Sequence, residues 1–151
     1  MMNAMSVSGP IGATELRRVE LSFPADVHML FLARMTAAAV ATRAELDFDQ
    51  VEDLRLAIDE LCIALFGSNV SPGQITLLFQ WDTEGTLDVV GTLIPEGEPS
   101  SNGSQAAATR SPLSFELSQR ILDALVDEHG SDAVAGVHRA WLRVRRREHS
   151  A

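Results

Sequence analysis

The chain contains no lysine and no tyrosine, and the 12 basic residues among its 151 are all arginine. That bias is the mark of a GC-rich genome and carries no chemistry of its own. Basic charge is scarce as well: 21 acidic residues leave a net charge of -9. Phosphate contacts supply most nucleic-acid affinity and need a basic surface. This composition lacks one, which argues against direct DNA or RNA binding and favours a soluble chain with a basic protein partner. The one basic cluster, Arg143, Arg145, Arg146 and Arg147, reads as the exposed face and end of a last strand. There is a single cysteine, Cys62, so no disulfide can form within the chain. It falls on an apolar stripe and reads as a small buried hydrophobe, since a redox switch needs an exposed, activated thiolate.

Long apolar runs are also missing. No stretch approaches the roughly 18–20 apolar residues of a membrane span. Met1 to Gly12 is small and polar, without the apolar core of a signal peptide. The expectation is a soluble cytoplasmic protein. His28, His129, His138 and His149 are too scattered for metal-ligand spacing, so no metal is expected. Ser114 and Ser118 have no His/Asp arrangement around them that would make a nucleophile.

What remains is a chain of one-domain length with clear punctuation. Residues 1–14 read as a disordered leader. Val19, Leu21 and Phe23 alternate as a half-buried strand that Pro24 stops. Asp26 caps a helix to about Arg43, with Val27, Leu30, Phe31, Arg34, Ala38 and Ala41 along one side. Asp49 and Glu52 stand at capping-box spacing and open a second helix to about Phe66. Val51, Leu54, Ile58, Leu61, Cys62 and Leu65 make it strongly amphipathic.

Ile75, Leu77, Phe79 and Trp81 form a strand, Asp82 to Gly85 a hairpin loop, and Leu87, Val89 and Leu93 the returning strand. Residues 95–112 read as a flexible, lid-like loop. Ser111 and Pro112 then start a third helix with Leu113, Leu117, Ile121, Ala124 and Leu125 as its buried stripe, ended by His129-Gly130. A final strand turns Ala140, Leu142 and Val144 inward and Arg139, Arg143 and Arg145 outward. This order predicts an α/β two-layer sandwich, with three helices on one face of a mixed, mostly antiparallel sheet.

The segment Leu46 to Cys62, LDFDQVEDLRLAIDELC, resembles the N-box helix of anti-sigma serine kinases of the RsbW and SpoIIAB type. It is most similar to that of UsfX-like actinobacterial anti-sigma factors. Ala33-Arg34-Met35-Thr36-Ala37-Ala38 resembles the family's first helix, and Ile121 to Glu128 its helix after the ATP lid. The resemblance covers residues 15–147 in order and implies a Bergerat (GHKL, HATPase-like) fold.

In that family a Glu on the N-box helix is the general base toward a serine of the anti-anti-sigma substrate. An Asn one turn later binds magnesium, a D-x-G-x-G aspartate reads adenine, and a glycine-rich lid holds the phosphates. Glu60 matches the first. The Asn position is Ala64, whose methyl cannot ligate a hard cation. The D-x-G position falls at Leu93-Ile94-Pro95, and Ser111 to Phe115 replaces the glycine run. Phosphoryl transfer rests on positioning and charge neutralisation, which Glu60 alone cannot supply. The resemblance thus implies an anti-sigma factor with a degenerate kinase site: no ATP or magnesium cofactor, and Glu60 a relic.

It implies an alternative sigma factor of the stress or sporulation type as partner, an anti-anti-sigma factor (STAS-type) as competitor, and a homodimer. Arg34, Leu30 and Ala38 on the first helix are the expected partner surface. For Arg34 an ordinary snorkelling arginine is the equal alternative. An active ATP-dependent kinase and a generic interaction domain are the other functional readings.

Overall fold

The computed structural model describes residues 15–66, 72–96 and 112–148. The leader, Gly67, most of the lid-like loop and the cap Ser111 lie outside these. Strand β1 (Arg17–Pro24) leads through a 3-10 turn (Val27–Met29) into α1 (Leu30–Arg43) and then α2 (Phe48–Phe66). The β2 (Gly73–Trp81) and β3 (Thr86–Pro95) hairpin follows, then α3 (Pro112–Leu125) and a second hairpin, β4 (Glu128–Val134) and β5 (Val137–Arg145). The strand order is β1-β2-β3-β5-β4, and every pairing is antiparallel. The three helices pack on this five-stranded sheet, as the two-layer reading expects, although the sheet has no parallel part.

Period-2 alternation sets the inner face. Phe23, Ile75, Leu77, Phe79, Leu87, Val89, Leu142 and Val144 are buried against the helices. α2 meets them with Leu54, Ile58, Leu61, Cys62 and Leu65, the stripe its periodicity predicts. The approach is close at Gly91: a Cβ there would lie 2.7 Å from Leu61 and 2.8 Å from Leu65. Only a residue without a side chain lets α2 sit so near β3.

The other helices are rotated from their predicted faces. α1 buries Leu30, Ala33, Ala37, Val40 and Ala41, while Val27 and Phe31 are exposed. α3 buries Ser118 and Leu122 and exposes Leu113 and Leu117. It also ends at Leu125, four residues before His129. His129 and Gly130 belong to β4, a strand absent from the sequence reading. The helix α2 starts earlier than predicted. Its capping box is Asp47 and Gln50: Gln50 N–H donates to Asp47 Oδ1 (2.8 Å), and Asp47 N–H donates to Gln50 Oε1 (3.3 Å). Asp49 is simply an acidic residue in the first turn.

The outer face carries no helix among the described residues. Its central row is Leu78, Val90 and Trp141, with Gly130 next in register. The Trp141 indole lies over Gly130, where a Cβ would come within 2.7 Å of the ring. Ion pairs flank the row: Arg143 with Asp88 (2.6 Å) and Glu128, and Arg139 with Asp132 (2.7 Å). Arg139 and Arg143 are held more firmly cationic than usual by these hydrogen bonds, and Asp132 more acidic.

Candidate functional site

The helix α2 carries the residues singled out in the N-box segment, and its geometry separates them. Consecutive positions on a helix diverge by about 100° and cannot share a face. Asp59 turns toward α1 and Glu60 toward α3. Each carboxylate is engaged by a different neighbour. Arg34 Nη1 donates to Asp59 Oδ2 at 3.2 Å and, more weakly, to Oδ1 at 3.5 Å. Ser118 Oγ donates to Glu60 Oε2 at 2.8 Å. Asp59 and Glu60 are therefore no acid/base pair; they fasten α1 and α3 to the central helix.

The Arg34–Asp59 pair is partly open, with side-chain exposures of 41% and 24%. Such a pair contributes about 0–1 kcal/mol to folding, because water competes for both charges. It holds the guanidinium in place at the surface with donors to spare. The Ser118–Glu60 bond is better covered, since Ser118 is buried. A hydrogen bond to a charged acceptor contributes about 1.5–3 kcal/mol where it is protected.

A magnesium nucleotide needs oxygen donors for the metal, and the resembled kinases add a carboxylate that accepts from the adenine amine. One turn along from Glu60 stands the half-buried methyl of Ala64. At the end of β3, Leu93 is half-buried on the inner face and Ile94 and Pro95 are exposed. None offers a side-chain oxygen, and the Glu60 carboxylate already accepts from Ser118. These residues do not fit the group. Among the described residues no cluster of three or more His, Cys, Asp or Glu could hold a metal ion.

Of the three residues expected to face a partner, Leu30 is buried in the core and has little surface to offer. Arg34 and Ala38 are half-buried and reach the surface on the same side of α1. Exposed apolar residues surround the pair. Phe31 lies one turn before Arg34, and Leu56 and Ile63 stand at i-3 and i+4 from Asp59 on α2. Sequence reasoning set Phe31 on the same side of the helix as Arg34 but did not bring Leu56 and Ile63 to that surface, because their place beside it depends on how α1 and α2 pack. It missed the Ser118 contact because it looked around that serine only for histidine and aspartate.

Cys62, two residues from Glu60, faces inward and is fully buried. Burial, with the Asp59 charge adding to it, pushes its thiol up to about 12. At neutral pH it is a protonated core group with no nucleophilic character.

Part of the chain is homologous to anti-sigma regulators of bacterial transcription. Over 63 residues, 42% of this chain and 38% of the relative, it is 41% identical to the anti-sigma-F factor RsbW of Mycobacterium tuberculosis. Over 64 residues it is 33% identical to the serine-protein kinase RsbW of Bacillus cereus, covering 41% and 40% of the two chains. The corresponding kinase of Bacillus mycoides is 31% identical over 67 residues. The match thus spans about two fifths of the curated relatives' length, a distant and partial homology to RsbW-type anti-sigma factors and serine kinases. No family model matches the chain. No helix among the described residues is long and apolar enough to cross a membrane.

Proposed function

We propose that the protein is an anti-sigma factor. It sequesters an alternative sigma factor of the stress or sporulation type, and an anti-anti-sigma antagonist releases it by competing for an overlapping surface. The observation that carries this reading is the stretch shared with an anti-sigma-F factor. The helix layer supports it. A fixed guanidinium at Arg34, ringed by Phe31, Leu56 and Ile63, has the make-up of an interface hot spot. Two mutually exclusive partners give a switch without catalysis, because occupancy follows relative affinity and concentration. A homodimer through the uncovered sheet face, with Leu78, Val90 and Trp141 at its centre, accompanies this reading, and sedimentation at micromolar concentration tests it.

The second reading is an active serine kinase. Glu60 and the serine-kinase relatives favour it; Ala64, Pro95 and the engaged Glu60 carboxylate oppose it. Calorimetry separates the two. The anti-sigma reading expects no magnesium-dependent ATP binding tighter than about millimolar, or roughly -4 kcal/mol. Micromolar, magnesium-dependent binding would establish the kinase instead. Glu60→Gln should leave sigma binding within about threefold, since ~0.6 kcal/mol is the scale of a residue outside the interface.

Arg34 is the direct test of the surface. Arg34→Ala is expected to weaken sigma binding by about 1–3 kcal/mol and Arg34→Glu by more, because reversal sets a negative charge against the acceptor that the guanidinium meets on the partner. Melting temperature should move little, given how little an exposed pair adds to folding. Unchanged affinity in both variants removes Arg34 from the interface.

A further inference from the structure

A groove of about 580 Å³ opens between the start of β1 and α1. Val19, Leu32, Val40 and Trp81 form its apolar floor, and Arg17 and Arg43 stand among its walls. We propose that this groove docks an extended acidic segment of a partner protein, laid alongside β1 with its apolar side chains in the groove.

Three features point to that occupant. The first is charge. Neither Arg17 nor Arg43 forms an ion pair with any described residue, a condition shared among the described arginines only by Arg120 and Arg147, whereas Arg18, Arg34, Arg55, Arg139, Arg143, Arg145 and Arg146 all do. Two unneutralised cations beside an apolar floor, on a chain of net charge -9, match a ligand that is both acidic and apolar.

The second feature is the strand. β1 lies at one end of the sheet order, so the edge away from β2 faces no strand among the described residues. Its backbone donors and acceptors suit another extended chain, the mode in which a peptide adds a strand to a sheet. The third is periodicity. Val19 and Arg17 lie on the helix side of β1. In a strand added beside them, every second side chain points the same way, into the groove, and its neighbours point out.

The chain's own leader is a poor occupant, because residues 1–14 contain no Asp or Glu to meet the guanidiniums. A second copy docked groove to groove would bring like charges together, since a two-fold contact places the same patch on both sides. The surface is also distinct from the Arg34 patch. Leu32, Thr36, Ala39 and Arg43 share one side of α1 and Arg34 lies on the other. Occupancy of the groove is thus independent of the sigma-factor reading.

The experiment uses the whole chain, labelled with nitrogen-15, and synthetic twelve-residue peptides that carry Val, Ile and Glu together at alternate positions, so that one side of the strand is both apolar and acidic, with Ser between them. The two tryptophans provide internal probes: Trp81 lines the groove and Trp141 lies on the outer face. The expected result is a saturable shift of the Trp81 indole N–H and of the Arg17 to Leu21 amides, with Trp141 unmoved. Peptides with Lys in place of Glu should not bind. The double substitution Arg17→Ser with Arg43→Ser should weaken binding at least tenfold at unchanged melting temperature, and raised salt should weaken it in the native protein. The proposal is overturned if no acidic peptide gives saturable shifts at Trp81. Equal binding of the lysine peptides, or salt-insensitive binding unchanged in the double variant, also overturns it. No sigma factor enters the experiment, so its failure leaves the anti-sigma reading standing.

Discussion

Between pH 9 and pH 12 the protein is expected to lose folding stability at about 1.4 kcal/mol per pH unit, and the Cys62→Ala variant is not. The Cys62 thiol ionises near 9.0 when unfolded and is pushed up to about 12 in the folded chain, by burial first and the Asp59 charge second. Within that window the unfolded state releases a proton that the folded state keeps. The unfolded state therefore binds fewer protons, and stability falls as pH rises. Below pH 9 both states hold the proton and the thiol contributes no slope. The composition makes the measurement clean: without lysine or tyrosine, no other side chain has its ordinary titration between these limits. The accumulated loss is on the order of 3–4 kcal/mol, a large part of the stability of an ordinary domain. Urea midpoints of both proteins across this range provide the test. Parallel pH dependence would mean that the thiol is not the group responsible.

Gln50→Ala is expected to cost about 3 kcal/mol, several times the effect of an ordinary surface change. Gln50 is 4% exposed, one of two buried polar side chains in the described core. Its Nε2 donates to the Arg145 carbonyl at 2.7 Å, and its Oε1 accepts from the backbone N–H groups of Asp47 and Arg147, both at 3.3 Å. One amide thereby ties the start of α2 to the end of β5. Truncation loses all three bonds and leaves a void where the buried amide stood. Asp47→Ala, which removes only the side-chain cap, should cost about 1 kcal/mol. The Gln50→Glu carboxylate can still accept but cannot donate to Arg145, so it should be no better than alanine at neutral pH. Denaturant unfolding of the three variants decides this. A Gln50→Ala cost no larger than that of Asp47→Ala would reduce Gln50 to a local cap.

The legible parts of the fold were those where apolar and polar residues alternate sharply. α2 shows its buried stripe because charged residues fill the other side, and β2 alternates through Ile75, Leu77, Phe79 and Trp81. α1 defeats the same reasoning. It is alanine-rich and apolar nearly all round, so periodicity cannot say which side faces in. The true stripe, Leu30, Ala33, Ala37, Val40, is offset from the predicted one. On α3 the apolar residues do line up, yet Leu113 and Leu117 are exposed while Ser118 is buried. The side of α3 that meets α2 is the one carrying Ser118, which donates to Glu60.

β4 was invisible for another reason. Its sequence EHGSDAV has almost no apolar content, and its pairing with β5 holds it in place. The available signal was Ala135-Gly136. With φ of 52° and 79°, these residues make the two-residue turn that suits strand twist. In the site, Glu60 and Ala64 could be placed on α2 from spacing alone. That each acidic neighbour on α2 would be claimed by a separate helix could not, because it depends on how three helices pack.

The sheet order also sets a sequence of events. β2–β3 and β4–β5 join strands that are adjacent in the chain, and such hairpins close within about 1–10 μs. β1 has no such neighbour. Arg17 must find Trp81 and Phe23 must find Ile75, with both helices lying between. Contacts so distant in the chain incur the entropy of closing a long loop and form slowly. β1 should therefore join an already assembled sheet, and Val19→Ala should speed unfolding while leaving the refolding rate nearly unchanged. Since β1 forms one wall of the groove against α1, that surface comes into being only with the final step of folding.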